Sequence, residues 1–162
     1  MKILVDADSC PRDARELALR AARRLGIHAI FAANRPLPGI TGDTVTMELC
    51  PEGENSADNR IVELAAPGDL VISRDLALVQ RLLEKNVSVL DDRGRVFSPD
   101  NIKELLSLRD FTVALSYNGL GVERIAAYGK KNRKAFADSL DRLLVKLQQQ
   151  TKQQLRQQPT PL

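Results

Sequence analysis

The chain has 162 residues, enough for one domain with a core of its own, and its composition is ordinary for a globular protein, with 43% hydrophobic and 28% charged residues. No apolar run approaches the roughly 18 residues of a membrane span, and an acid at the sixth position argues against a secretion signal, so we expect a cytoplasmic protein. Two cysteines and one histidine exclude a disulfide framework and a zinc site.

The first half of the chain alternates apolar runs with a helical pattern. The predicted elements are strands over 2–7, 27–33 and 43–49 and a helix over 11–25. A proline at the first helical position and Gly26 after the last one delimit the helix. In the third strand, apolar residues occupy every second position, which indicates a strand nearer an edge of the sheet.

The second half continues the alternation with shorter elements. The predicted elements are helices over 56–66, 76–85 and from 100 to about 109, strands over 69–73 and 87–90, a turn over 91–94 and a hairpin arm over 95–97. Strands that alternate with helices in this way predict an α/β fold, in which a mostly parallel central sheet is flanked by helices on both faces.

The C-terminal third is basic. Residues 1–108 carry a net charge of −3 and residues 109–162 a net charge of +6. After a glycine-containing joint at 116–121, residues 129–147 predict a basic amphipathic helix, which is either a solvated surface or an arm that attracts phosphates. We therefore divide the chain into a domain over 1–147 and a Gln-rich tail over 148–162, which is expected to be disordered or frayed.

Carboxylates follow the predicted strands at one edge of the sheet. Asp6 and Asp8 come at the end of the first strand, Asp75 comes just past the strand at 69–73, and Asp58 lies in the first turn of the preceding helix. If these two strands are neighbours, their ends lie about 5 Å apart. Converging carboxylates repel one another, and Mg²⁺ or Mn²⁺ would keep them ionised. Such a site can generate metal hydroxide and clamp a phosphoryl group.

Other roles for these residues have to be weighed. Asp8, Asp58 and Asp75 could each cap a helix without any role in catalysis. Cys10 could be a nucleophile, since a thiol beside a helix N-terminus has a lowered pKa. The acids upstream of Cys10 disfavour a thiolate, however, and Glu16 stands where a phosphatase loop would have its arginine.

Four sequence blocks form a recognisable pattern. They are Val5-Asp6-Ala7-Asp8-Ser9-Cys10-Pro11, Ala57-Asp58-Asn59-Arg60-Ile61-Val62, Gly68-Asp69-Leu70-Val71-Ile72-Ser73-Arg74-Asp75-Leu76-Ala77-Leu78, and Arg93-Gly94 with Asn101-Ile102 and Leu108-Arg109-Asp110. Together they resemble the YaiI/YqxD family of bacterial proteins. The resemblance covers about residues 1–145, in order and at natural spacing. The chain departs from the family pattern at Asp92, where a proline is common, at 116–131, which look lengthened, and in the Gln-rich tail.

The resemblance implies a PIN-like three-layer sandwich, a fold of metal-dependent nucleases. It implies Asp6, Asp58 and Asp75 as the acids that bind Mg²⁺ or Mn²⁺, with Asp8 as a fourth acid that completes the site or positions water. Fold alone does not decide function, so the activity is carried over from the family only by analogy.

Two functions follow as hypotheses. The first is a divalent-metal-dependent nuclease that hydrolyses phosphodiesters in RNA rather than DNA, with basic side chains on the substrate backbone. The residues expected there are Arg74, Arg93, Arg95, Lys130, Lys131, Arg133 and Lys134. The alternative is a non-catalytic module that binds RNA or a protein through the basic C-terminal helix. Neither hypothesis involves a membrane, and both leave a monomer and an oligomer open.

Overall fold

A five-stranded sheet forms the centre of the structure, a computed structural model that describes residues 1–119 and 126–158. The strands are β1 (Lys2–Asp6), β2 (His28–Ala33), β3 (Val45–Leu49), β4 (Leu70–Ile72) and β5 (Ser88–Leu90). They lie in the order β3-β2-β1-β4-β5, and every neighbouring pair is parallel. This confirms the expected sheet and makes β1 and β4 neighbours at its centre.

Helices cover both faces of the sheet, as the alternating pattern predicts. The helices are α1 (Arg12–Leu25), α2 (Ser56–Leu64), α3 (Leu76–Glu84), α4 (Pro99–Tyr117) and α5 (Lys130–Gln157). One face packs against α1 and α5, and the other packs against α2, α3 and α4. The molecule is therefore a three-layer α/β sandwich, which confirms the fold class.

The two cores meet at β1, whose side chains alternate between the faces of the sheet. Ile3 and Val5 pack on the side of α1 and α5, whereas Leu4 packs on the side of α2, α3 and α4. All three side chains are fully buried. A strand covered on both faces has a continuous apolar sequence, and this explains the run that the first strand shows.

Helix α5 belongs to the core. Its apolar stripe is buried against α1 and the sheet, and it consists of Phe136, Leu140, Leu143, Leu144 and Leu147. The helix continues past residue 147 as far as Gln157, where a disordered or frayed segment was expected. The division into a domain over 1–147 and a tail stays a prediction, and residues 159–162 lie outside the described residues.

Several element ends differ from those that the sequence predicts. Pro11 is the N-cap of α1 instead of its first residue, and Gly26 ends the helix in the left-handed conformation at φ 64°. Helix α4 extends to Tyr117, so the joint expected from residue 116 begins later, and its last two residues lie outside the described ranges. The expected hairpin arm is a single antiparallel bridge between Leu90 and Val96.

Within the two described ranges, no helix is both long enough and apolar enough to cross a membrane.

Candidate functional site

Asp6 lies at the end of β1, at the centre of the carboxyl edge of the sheet. Val5 is in register with Ile72 of β4, so the next residues, Asp6 and Ser73, lie side by side. The hydroxyls of Ser73 and Ser9 both donate to Asp6 Oδ2, each at 2.9 Å. Burial raises the pKa of Asp6, which the two hydrogen bonds counteract, and the charges of Asp75 and Asp8 raise it further.

Asp75 is the N-cap of α3. Its Oδ1 accepts hydrogen bonds from the backbone N–H groups of Ala77 at 2.9 Å and Leu78 at 3.1 Å. Its own N–H donates to Ser73 Oγ at 3.1 Å, which ties the cap to the group that binds Asp6. The capping role that the sequence left open is therefore real. Because Oδ2 takes no part in the cap, capping leaves one carboxylate oxygen available to a ligand.

Asp58 lies in the first turn of α2, half-buried, whereas Asn55 holds the N-cap position. Its pKa is raised to about 6, chiefly by burial and then by the negative charges of Asp6 and Asp75, against a smaller opposing effect of Arg81. Asp58, Asp6 and Asp75 are thus near enough to repel one another. The three acids predicted to converge come from β1, α2 and the start of α3.

Asp8 is placed differently from the other three acids. It is exposed, its Oδ2 accepts from the backbone N–H of Asn34 at 2.7 Å, and its Oδ1 lies 4.0 Å from Arg35 Nε. The side chain therefore holds the start of the loop after β2 and does not cap α1. Its charge still acts on Asp6, whose pKa it raises.

The acid cluster has the right donors for a hard cation, but it is not a preformed cage. Carboxylate oxygens are the ligands that Mg²⁺ and Mn²⁺ prefer. Among residues 1–119 and 126–158, however, no group of three or more His, Cys, Asp or Glu side chains is arranged to hold a metal ion. Asp6, Asp58 and Asp75 fit such an ion in the kind of donor they supply, and their side chains would have to rearrange to bind it.

The turn after β5 connects the acid edge to α5. A Cβ on Gly94, at φ 90°, would lie 2.5 Å from Ala135 O, so the turn and the helix backbone are in direct contact. Ser139 Oγ also donates to Gly94 O at 2.7 Å, and Arg93 Nη2 donates to Ala126 O at 2.7 Å. The beginning of α5 is therefore fastened beside the carboxyl ends of the strands.

The basic residues named from the sequence lie on three segments. Arg74 is exposed directly before Asp75, and Arg95 is exposed on the turn after β5. The first turn and a half of α5 carries exposed basic side chains, which are Lys130, Lys131, Arg133 and Lys134. Arg93 is half-buried and bound to Ala126 O. Arg74 lies 3.9 Å from Asp92, and Lys134 lies 3.3 Å from Asp138. All of these side chains except Arg93 are exposed and can meet a ligand from solvent.

Sequence reasoning missed three residues at this edge, Ser9, Ser73 and Asp92. Ser73 could have been found from the sequence, since it follows the apolar run of β4 as Asp6 follows the apolar run of β1. Asp92 is buried with no hydrogen-bond partner for either oxygen among the described residues, and Arg74 Nη1 lies 3.9 Å from its Oδ2. Burial raises the pKa of Asp92, and the charge of Arg74 opposes this.

Cys10 is not an activated nucleophile. The thiol is buried, and burial, followed by the charge of Asp92, raises its pKa to about 12. A thiol with such a pKa is protonated at neutral pH and cannot attack as a thiolate.

Comparison with known proteins gives one consistent family. The model of the family described as "Uncharacterized BCR, YaiI/YqxD family" matches residues 4–146. A UPF0178 protein of Treponema pallidum is 42% identical over 147 residues, which are 91% of this chain and 83% of the relative. A UPF0178 protein of Treponema denticola is 43% identical over 146 residues, with 90% and 93% of the two chains covered. One from Trichlorobacter lovleyi is 36% identical over 154 residues, 95% of this chain and all of the relative.

No solved structure gave a significant match. The region that matches the family model contains all four acids and the beginning of α5. The candidate site therefore lies within the matched region. The match agrees with the motifs singled out from the sequence, and the chain belongs to the YaiI/YqxD family.

Proposed function

We propose that this protein is a divalent-metal-dependent nuclease that hydrolyses phosphodiester bonds of RNA at the acid edge of the sheet. The observation that carries the proposal is the position of Asp6 and Asp75 at the carboxyl ends of the neighbouring strands β1 and β4. Their charges add to the effect of burial in raising the pKa of Asp58 to about 6. Three acids held together at such a cost fit a site whose partner is a cation.

Each residue has a part that follows from its contacts. Asp6 would bind Mg²⁺ or Mn²⁺ through Oδ1, because Oδ2 already accepts from two serines. Asp75 would use Oδ2, and Asp58 would contribute from the side of α2. Such an ion lowers the pKa of bound water and neutralises charge on a phosphate. Asp8, which is exposed and adjacent, would position water.

Positive charge around the acids supports a polyanionic substrate. Arg74 precedes Asp75, Arg93 and Arg95 belong to the turn after β5, and the lysines at the start of α5 are fastened beside that turn. Together these side chains could hold the phosphates of a nucleic acid on either side of the reacting bond. The two cysteines are both free, in keeping with the cytoplasmic location that belongs to this proposal.

The first prediction concerns metal binding. Calorimetric titration of Mn²⁺ into the wild type should give saturable binding, and Asp58→Asn and Asp75→Asn should each weaken it by roughly tenfold or more. Asparagine can still cap α3, so the second variant removes charge from the site with little damage to the helix.

The matched control for these variants is Asp138→Asn, which removes an exposed carboxylate of α5 and should leave the titration unchanged. The titration is repeated with a non-hydrolysable oligonucleotide present, because its phosphate oxygens can supply ligands that the metal needs in addition to the carboxylates. Equal Mn²⁺ binding by the wild type and by an Asp58→Asn/Asp75→Asn double variant, with and without the oligonucleotide, would refute the metal site.

The second prediction separates catalysis from binding. With Mn²⁺ and single-stranded RNA, Asp75→Asn should lower the cleavage rate by roughly 100-fold or more, since it weakens stabilisation of transition-state charge. Replacing Lys130, Lys131 and Lys134 by glutamine should instead weaken RNA binding and flatten its salt dependence. Gel-based cleavage and fluorescence anisotropy measure the two effects.

The alternative function is a non-catalytic module that binds RNA or a protein. The exposed lysines at the start of α5 are the observation in its favour. It predicts RNA binding that depends on these lysines, no cleavage with any divalent metal, and no effect of Asp75→Asn. Removing the whole helix is not a usable test, because Phe136 and Leu144 are fully buried in the core.

A further inference from the structure

Asp92 is a buried carboxylate beside the acid edge whose hydrogen-bonding capacity is not used. It is 3% exposed, and neither oxygen has a hydrogen-bond partner among the described residues. The gap that it shares with its neighbours is too narrow for a water molecule, and these neighbours are Ser9, Cys10, Ile72, Ser73 and Arg74. Because a buried charge without a partner is costly, the carboxylate needs a cation that the protein itself supplies.

Arg74 is this cation. Among the described residues, it alone forms an ion pair with Asp92, with Nη1 3.9 Å from Oδ2. Burial raises the pKa of Asp92, and of the charges that act on this carboxyl, that of Arg74 has the largest effect. An approach of about 1 Å would turn the ion pair into a charge-assisted hydrogen bond. The buried carboxylate is therefore placed to restrain the guanidinium of Arg74.

Arg74 stands between two residues of the acid edge. Ser73, which precedes it, donates to Asp6 Oδ2, and Asp75, which follows it, caps α3. The Arg74 side chain is 52% exposed. A guanidinium carries five N–H donors in a rigid fork, so the donors that do not face Asp92 are available to a ligand from solvent.

We propose that Asp92 is a positioning residue, which holds the Arg74 guanidinium beside the acid edge so that its remaining N–H groups bind a phosphate of the nucleic acid. The inference rests on the proposed function, because it assigns a phosphate contact of the same site. A free arginine side chain loses conformational entropy when it binds a phosphate, whereas an anchored one has already lost it. The cost of burying Asp92 is thereby offset in substrate binding and not in stability.

The first test uses the sign of the effect on RNA binding. Removing a negative charge near a polyanion strengthens binding if repulsion is all that matters. If Asp92 positions Arg74, Asp92→Asn should instead weaken binding by about fivefold. Fluorescence anisotropy with Mn²⁺ and a non-hydrolysable analogue of single-stranded RNA measures the affinity without cleavage. The matched control, Asp138→Asn, removes an exposed acid of α5 and should not weaken binding.

A double-mutant cycle shows whether the effect passes through Arg74. Arg74→Gln should weaken binding of the RNA analogue by about tenfold. Adding Asp92→Asn to Arg74→Gln should cause no further loss, since no guanidinium is left to position. The comparison is Arg95→Gln, which changes an exposed arginine of the same turn as Asp92. Its effect and that of Asp92→Asn should multiply in the double variant.

Arginine NMR tests the anchoring without RNA. The order parameter of the Arg74 Nε–H bond should fall in Asp92→Asn, and that of Arg95 should stay unchanged. Equal order for Arg74 in the two proteins would overturn the inference, and so would binding of the RNA analogue that Asp92→Asn leaves unchanged or strengthens.

The outcomes separate this inference from the proposed function. Coupled effects of Asp92→Asn and Arg74→Gln on RNA binding, in a protein that cleaves no RNA, would support the inference and refute the nuclease. A wild type that binds no RNA analogue would refute the phosphate contact together with the proposed function, even if Asp92→Asn lowers the order of Arg74.

Discussion

Asp92 is a buried charge next to the acid edge, and its surroundings do not satisfy it. It is 3% exposed, and neither oxygen has a hydrogen-bond partner among the described residues. Arg74 is near, but its Nη1 is 3.9 Å away, longer than a hydrogen bond. The hydroxyl of Tyr128 is also buried, with no hydrogen-bond partner in the described part of the chain. Burial, followed by the charge of Asp92, raises the pKa of Tyr128 to about 12.

Removing the charge of Asp92 should therefore stabilise the protein. A carboxyl whose pKa is raised by folding costs stability above its unfolded pKa, and the cost disappears as pH falls and both states become protonated. We expect Asp92→Asn to raise the free energy of unfolding by about 1 kcal/mol at pH 8, with a gain that shrinks towards pH 4. Urea unfolding at several pH values measures this.

The control for Asp92→Asn is Asp138→Asn, an exposed acid that should change stability little at any of these pH values. A variant at Asp92 that is less stable than the wild type at pH 8 would show that Arg74 stabilises the carboxylate more than burial destabilises it.

The sequence predicts the positions of site residues that directly follow a strand. Asp6 follows an apolar run directly, and Asp75 follows a second one, so their edge is predictable once the sheet is parallel. Asp92 is different, because its burial depends on tertiary contacts with Arg74 and the segment around Tyr128. No local pattern in the sequence encodes contacts between such distant segments.

At the scale of elements, the turn after β5 lies in direct backbone contact with α5. Gly94 has φ 90°, a conformation that other residues rarely adopt, and lies against the backbone of Ala135. Two separate requirements, the turn conformation and the helix contact, thus fall on one glycine.

Gly94→Ala should consequently destabilise the protein by about 3 kcal/mol, the sum of backbone strain and overpacking. Gly68→Ala is the matched control, since Gly68 has nearly the same φ, 89°, but nothing within 4 Å of an added Cβ. The difference between the two variants in urea unfolding measures the contact with α5 alone. Equal losses would mean that α5 shifts away at no cost.

Helices and strands themselves were largely predictable, because each has a clear period and clear limits. The sheet strands were identified in chain order, and α1 ends at the glycine that the pattern indicated. The length of α5 was not predictable, because its Gln-rich end has the composition of a disordered segment. Glutamine is nevertheless a good helix former, and the helix continues to Gln157. The apolar face of α5 was predictable, because its apolar residues recur at helical spacing, whereas its packing against α1 depends on tertiary contacts.

At the scale of the whole molecule, the candidate site exists because β1 and β4 are neighbours at the centre of the sheet. The sequence alone does not establish that β1 and β4 are neighbours, because strand order depends on how the connecting helices cross the two faces of the sheet. In the order β3-β2-β1-β4-β5, the chain reverses direction across the sheet between β1 and β4. Open α/β sheets bind ligands at this reversal, and Asp6 lies there.

The central position of β1 also makes its pairing with β4 slow to form. Asp6 and Ser73, which meet at the ends of the two middle strands, are 67 residues apart in the chain. A long loop must close before that pairing gains any energy, and folding rates fall as such distant contacts accumulate. Until β4 arrives, the apolar strand β1 has one open edge that can pair with another chain. During synthesis, aggregation therefore competes with folding for the strand that carries Asp6.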